Sequence, residues 1–304
     1  MTETHDPRAR RLAMVLEPVA AQVYFSPECH TAYAELGFSP SPGTTAGGVE
    51  LPDGPAYFTS RGSVMGQVSG AVVAAAFGVF NPEAVVPSID FGWTKVDAPT
   101  ICAARTRGAV GQLERILGPA PDGLGRATAL LESAVAPLRP EGKPLYAGLL
   151  SLGLPGEPLA DVWRLADMLR EYRGDAHTAA WTSALLDATE IGLLTEPYWG
   201  IPLRTYVRTR AWSDQQLDAA ERRLVDRGLL KDGALTDEGR ALRESIEAAT
   251  DAQCGPMIDA LGDDGLEELI GLLSPWGKAI RDAGGYPAQG PHELASLSGR
   301  TARQ

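Results

Sequence analysis

The chain has 304 residues, 44% of them hydrophobic, and its 27 Lys and Arg against 39 Asp and Glu leave a formal net charge of −12. That length and apolar content exclude general disorder and suffice for two domains or one large helical domain with a sizeable core. The longest apolar stretch, 68–80, is interrupted by Ser69, Gly70 and Gly78 and falls short of the roughly 18 residues a membrane helix needs.

The opening MTETHDPRARR has no apolar run of the export-signal type behind it, because Glu17 and Pro18 cut the run short, so a cytoplasmic location is expected. Cys29, Cys102 and Cys254 form no CxxC pair and fit reduced thiols. A first helix is expected over 7–23. SPECHTAYAELG predicts a second, with Ser26 as N-cap, Pro27 at its first position and Gly37 as its stop. The Pro/Gly/Ser/Thr-rich stretch 38–55 predicts a loop. A Gly/Ala/Val-rich helix is expected over 63–80, ended by Asn81 and Pro82. Amphipathic helices follow at 98–117 and 124–138, separated by the turn GPAPDG, and GKPLYAGLLSLGLPGEP predicts a connector.

The segment 158–172 spaces Val162, Leu165, Ala166 and Leu169 on one helical face, and a further helix is expected over 175–190, so that Arg173 and Gly174 make a corner. Beyond the loop TEPYWGIPLR the pattern changes. Ser213 with Gln216 predicts a capping box, Leu217, Ala220, Leu224 and Val225 an apolar face, and Gly228 a stop. GLLKDGAL predicts a hairpin turning at Asp232 and Gly233, and Thr236 caps a helix through 254. A last helix is expected at 263–282, then a mobile tail. The order helix, ribbon, helix predicts a mainly α protein: a helical N-terminal domain (1–155), a winged-helix-like domain with a short two-stranded β wing (156–283), and a disordered tail (284–304).

LDAAERRLVDRGLLKDGALTDEGRALRESIEAA resembles the recognition-helix, wing and following-helix segment of MarR-type regulators. MLREYRGDAHTAAWTSALLDATE, with SRGSVMG, FNPEAV and KPLYAG, is similar to an actinobacterial family of about this length whose members carry a helix-turn-helix label. The resemblance implies a two-part helical protein with a winged-helix-like C-terminal part. It makes RGDAH, the most distinctive motif of that family, a ligand-site candidate.

Charge sets the expectation for DNA. Residues 151–304 hold 16 basic against 25 acidic side chains, and the candidate recognition helix 214–227 carries Asp214, Asp218, Glu221 and Asp226 against Arg222, Arg223 and Arg227. Phosphate neutralisation supplies most DNA affinity. The remaining phosphate candidates are Arg204, Arg208, Arg210, Arg222 and Lys231, which pairing with nearby acids would equally explain. The small-molecule candidates are Arg173, Asp175 and His177 in RGDAH, with Arg61 and Asn81 as further lining residues. The alternative for RGDAH is a structural Arg173–Asp175 ion pair with a packed His177. Cys29 and His30 lack further ligands at metal spacing, so no metal site is expected, and no catalytic residue or cofactor is assigned. GxSxG, P-loop, GxGxxG and HExxH signatures are absent from the sequence. The leading reading is a small-molecule-binding, MarR-like winged-helix protein, a ligand-responsive transcriptional regulator with weak DNA binding. The alternatives are an enzyme of small-molecule metabolism using the Arg/Asp/His site, and a scaffold or dimerisation protein without chemistry. A small-molecule ligand, DNA and a second copy in a homodimer are the expected partners; a membrane is not.

Overall fold

The computed structural model describes residues 8–45 and 47–288. Of the tail expected over 284–304, residues 289–304 lie outside the described residues, whereas Tyr286 is buried edge-on against Phe25 and so belongs to the core. The fold is mainly α-helical with one two-stranded antiparallel ribbon in the C-terminal half. Its elements are α1 (Arg8–Ala21), α2 (Pro27–Glu35), α3 (Gly54–Gly62), α4 (Gly70–Phe77), α5 (Pro82–Lys95), α6 (Ala98–Leu117), α7 (Leu124–Val135), α8 (Pro144–Leu152), α9 (Pro158–Ser183), α10 (Ala188–Tyr198), α11 (Asp214–Asp226), β1 (Leu230–Lys231), β2 (Ala234–Leu235), α12 (Asp237–Gln253) and α13 (Gly255–Asp282). Among the described residues no helix is long and apolar enough to cross a membrane.

Caps place the helix starts. Ser26 accepts from the Cys29 amide at 3.1 Å, Ser213 and Gln216 form a capping box, and Thr236 accepts from the Gly239 amide at 3.0 Å. Each satisfies a backbone donor that a first helical turn leaves orphaned. The ribbon turns at Asp232 (φ 50°) and Gly233 (φ 78°), left-handed positions that an Asp-Gly pair adopts readily.

Three further expectations need correction, and one helix, α5, lies where no element was expected. The helix expected over 63–80 is two pieces: α3 continues into a 3-10 turn at Ser63–Met65, Gly66 (φ 82°) breaks the chain, and α4 begins only at Gly70. The sequence after Asn81 forms α5, with Pro82 at its first position, where no intrahelical N–H is needed. The expected connector 142–158 contains α8, again started by a proline. The corner at Arg173–Gly174 does not exist: α9 runs unbroken through it and ends near Leu185, whose φ of 59° turns the chain toward α10.

Two apolar cores result. The larger joins residues 9–172 to 254–286, with Trp163, Leu12, Ile89, Ile101 and Leu113 fully buried. The smaller joins residues 180–246, where Leu217, Ala220 and Leu224 of α11 meet Leu193 and Leu194 of α10 and Ile246 of α12. α9 contributes to both. At the other end of the chain, α1 packs between α9 and α13: Arg8 and Arg11 bond Asp263 and Glu267, each at 2.6 Å, and Pro18 lies against Gly277, where a Cβ would fall 2.8 Å from the proline ring.

Candidate functional site

Because α9 is continuous, Arg170, Arg173, Gly174 and His177 share one face at helical spacing. That face opens on a cavity of about 710 Å³. Its walls come from α1, α3, α4, α9 and α13 on one side and from α10, α12 and the segment before α11 on the other, so it lies where the two cores meet.

One wall is an ion-pair network around Glu171, which is 3% exposed. Arg61 grips both its oxygens, at 3.0 and 2.7 Å, and Arg170 bonds it at 2.8 Å while also holding Glu17 at 2.8 Å. Burial alone would raise the Glu171 carboxyl, yet the two guanidiniums bring it down to about 2. The facing wall repeats the device. Arg173 bonds Glu247 at 3.0 Å and lies 2.8 Å from Asp251, Arg243 bonds Glu247 at 2.6 Å, and Arg10 reaches Asp251 at 2.6 Å.

Between these walls stands His177. Thr250 donates its only hydroxyl proton to the Ile246 carbonyl at 2.7 Å, so at 3.1 Å it accepts from His177 Nδ1–H. The lone pair is thereby fixed on Nε2, which has no protein partner among the described residues. Burial, then the charges of Arg243 and Arg173, push the imidazole down to about 4, so it is neutral at pH 7. Asp175 lines the cavity but also has structural work: its Oδ2 accepts from the amides of Leu145 and Tyr146, both at 3.1 Å, capping α8 from another helix. Burial, with Glu171 close by, pushes this carboxyl up to about 7.

The structure thus brings Arg61, Arg173, Asp175 and His177 to one cavity and separates Asn81 from it. No Arg173–Asp175 pair forms; Arg173 pairs with Glu247 and Asp251 instead. Asn81 caps α5 through the Glu83 amide, and its side-chain amide donates to the Ala211 carbonyl at 3.0 Å and to Gln216 at 3.3 Å. It is a latch between the start of α5 and the start of α11. Of the residues expected to meet phosphates, Arg204 is bound to Glu221 and Asp218, and Arg208 to Asp214 at 2.8 Å. Arg210 turns into the cavity and stacks over Phe80 and Tyr206, 4.5 Å from each ring centre. Arg222 and Lys231 are exposed. Arg10, Arg170, Glu171, Arg243 and Glu247 escaped sequence reasoning. The i, i+3, i+7 spacing of Arg170, Arg173 and His177, and the i, i+4, i+7 spacing of Arg243, Glu247 and Thr250, were the available signals.

A helix capped by Ser213, followed by a tight ribbon and a second helix, all packed on a shared apolar core, defines a winged-helix-like protein with a large helical partner region. The chain belongs to a helix-turn-helix family, whose family model matches residues 9–287. That membership supports, at a coarse level, a DNA-binding helix-turn-helix regulator. No curated protein and no solved structure matches the chain.

Proposed function

We propose that the protein is a ligand-responsive, MarR-like winged-helix regulator, in which a small molecule held against Arg61, Arg173 and His177 controls a weak contact with DNA. The observation that carries this reading is the cavity itself: it is roomy enough for a metabolite, and its lining is drawn from both cores, so an occupant would touch the elements that support α11 and the wing. Ligand binding shifts a protein between states only where contacts differ between them, and a cavity shared by two packed units supplies such contacts.

The DNA contact is weak for a reason visible on α11. Arg223 is tied to Asp187 and Glu190, Arg227 also reaches Glu190, and Asp214, Asp218 and Asp226 are exposed beside Arg222. Arg222 and Lys231 are left as the phosphate contacts. Fluorescence anisotropy with random and operator-like duplexes at low salt should show micromolar affinity falling with salt at a logarithmic slope of about −2, the value for two phosphates. Arg222→Ala with Lys231→Ala should abolish it. Absence of binding at micromolar protein would overturn the regulatory reading.

A second reading has one observation of its own. His177 is neutral, its tautomer is fixed by Thr250, and Nε2 is an available proton acceptor. This would suit an enzyme of small-molecule metabolism. A metabolite-binding screen on wild type and His177→Ala, followed by product analysis, separates the two; recovery of every retained compound unchanged would count against the enzyme.

A further inference from the structure

We propose that the cavity takes an organic anion with an apolar, ring-sized body, and that Arg210 receives its charge. The inference rests on the ligand-binding reading above and adds the chemical class of the ligand. Among the described residues seven arginines line the cavity, and the five in the two networks above each lie within ion-pair distance of a carboxylate. Arg210 and Arg281 have no carboxylate partner among the described residues. The described residues contribute four lining acids: Glu17, Glu171 and Glu247 are already engaged by arginines, and Asp175 by backbone amides. The cavity wall therefore carries a surplus of positive charge inside a chain whose net charge is −12.

A partly buried guanidinium without a counter-charge is unfavourable, and proteins ordinarily pair it. Here Arg210 is held by ring faces and by the Tyr206 hydroxyl, to which it donates. That arrangement keeps the guanidinium plane positioned and leaves its remaining N–H groups for a carboxylate, sulfonate or phosphate oxygen. The same rings, with Phe77 beyond them, give the rest of the ligand an apolar bed.

Arg210 is also joined to the start of α11. Its carbonyl accepts from the Asn81 amide at 2.9 Å, and two residues on, Trp212 Nε1–H donates to the Val79 carbonyl at 2.9 Å. An anion drawing on Arg210 would load the strap that begins the recognition helix.

The test compares 8-anilinonaphthalene-1-sulfonate with its uncharged counterpart N-phenyl-1-naphthylamine, by fluorescence titration of the native full chain. Wild type should bind one sulfonate dye at least tenfold more tightly than the neutral dye. Arg210→Met, which keeps the apolar stack and removes the charge, should lose that tenfold preference while its affinity for the neutral dye stays within twofold. Arg210→Lys should retain most of the preference. Equal affinity of wild type for both dyes overturns the anionic class without any substitution. An unchanged sulfonate preference in a folded Arg210→Met overturns the role of Arg210. Failure of both dyes to bind wild type sinks the ligand-binding reading itself.

Discussion

Two neighbours on α9 should pull the pH dependence of stability in opposite directions. His177 has a pKa of about 4 in the folded chain against the ordinary 6.5. Its neutral form is the native one, so its contribution is complete above 6.5 and is lost as pH falls toward 4. By pH 5 the unfolded imidazole has taken up a proton that the folded one refuses, and linkage sets the loss at about 2 kcal/mol relative to pH 8. Asp175 behaves inversely. With its carboxyl pushed from 3.8 up to about 7, the protonated form is native, the contribution is complete below 3.8, and it disappears as pH rises through 7. Going from pH 8 to pH 5 it gains about 3 kcal/mol. In the wild type the two largely cancel, and single variants expose them. His177→Gln keeps a donor for Thr250 and should gain about 2 kcal/mol on wild type between pH 8 and pH 5, whereas Asp175→Asn should fall behind it by about 3 kcal/mol. Urea unfolding followed by tryptophan fluorescence at constant ionic strength gives both differences. If His177→Gln tracks the wild type across this range, the imidazole is not held neutral by its surroundings and the tautomer argument fails.

Two further outcomes concern the core. At Gly108, a Cβ would lie 2.4 Å from Cys29 Sγ and 2.6 Å from its Cα, so Gly108→Ala must part α2 from α6; it should lower stability by about 1–3 kcal/mol, read as a fall in melting temperature. The three cysteines are free and buried, and burial pushes the Cys29 and Cys254 thiols up to about 11. Native protein should therefore resist a thiol reagent at pH 8 that titrates all three in denaturant, and rapid reaction of the native chain would contradict the packing around α2 and α12.

What local chemistry dictates was legible: the caps at Ser26, Ser213 and Thr236, the Asp-Gly turn, and the amphipathic α6 all follow from residues a few positions apart. The failures have tertiary causes. Gly174 reads as a helix stop, but the flanks of α9 bury Trp163, Leu169, Tyr172 and Trp181, and that burial exceeds the roughly 1 kcal/mol a helical glycine loses. α8 was obscured by the prolines and glycines in and around it. Its first turn is completed by Asp175, some thirty residues away. The candidate site was half legible for the same reason: Arg61, Arg173 and His177 stand in recognisable motifs, while Arg10, Glu17, Arg243 and Glu247 reach the cavity from helices at opposite ends of the chain, in segments that look like ordinary charged surface.

The embrace of α1 by α13 has a consequence during synthesis. Arg8 and Arg11 meet partners 255 and 256 residues further on, and α1, on which Leu12, Leu16 and Val19 are buried, packs on α13 as well as on α9. At roughly 5–20 residues per second, the ribosome needs tens of seconds to deliver α13 after α1 has emerged. Throughout that interval the side of α1 that α13 covers lacks its native partner, and the part of the larger core between the two helices forms only once α13 has been made.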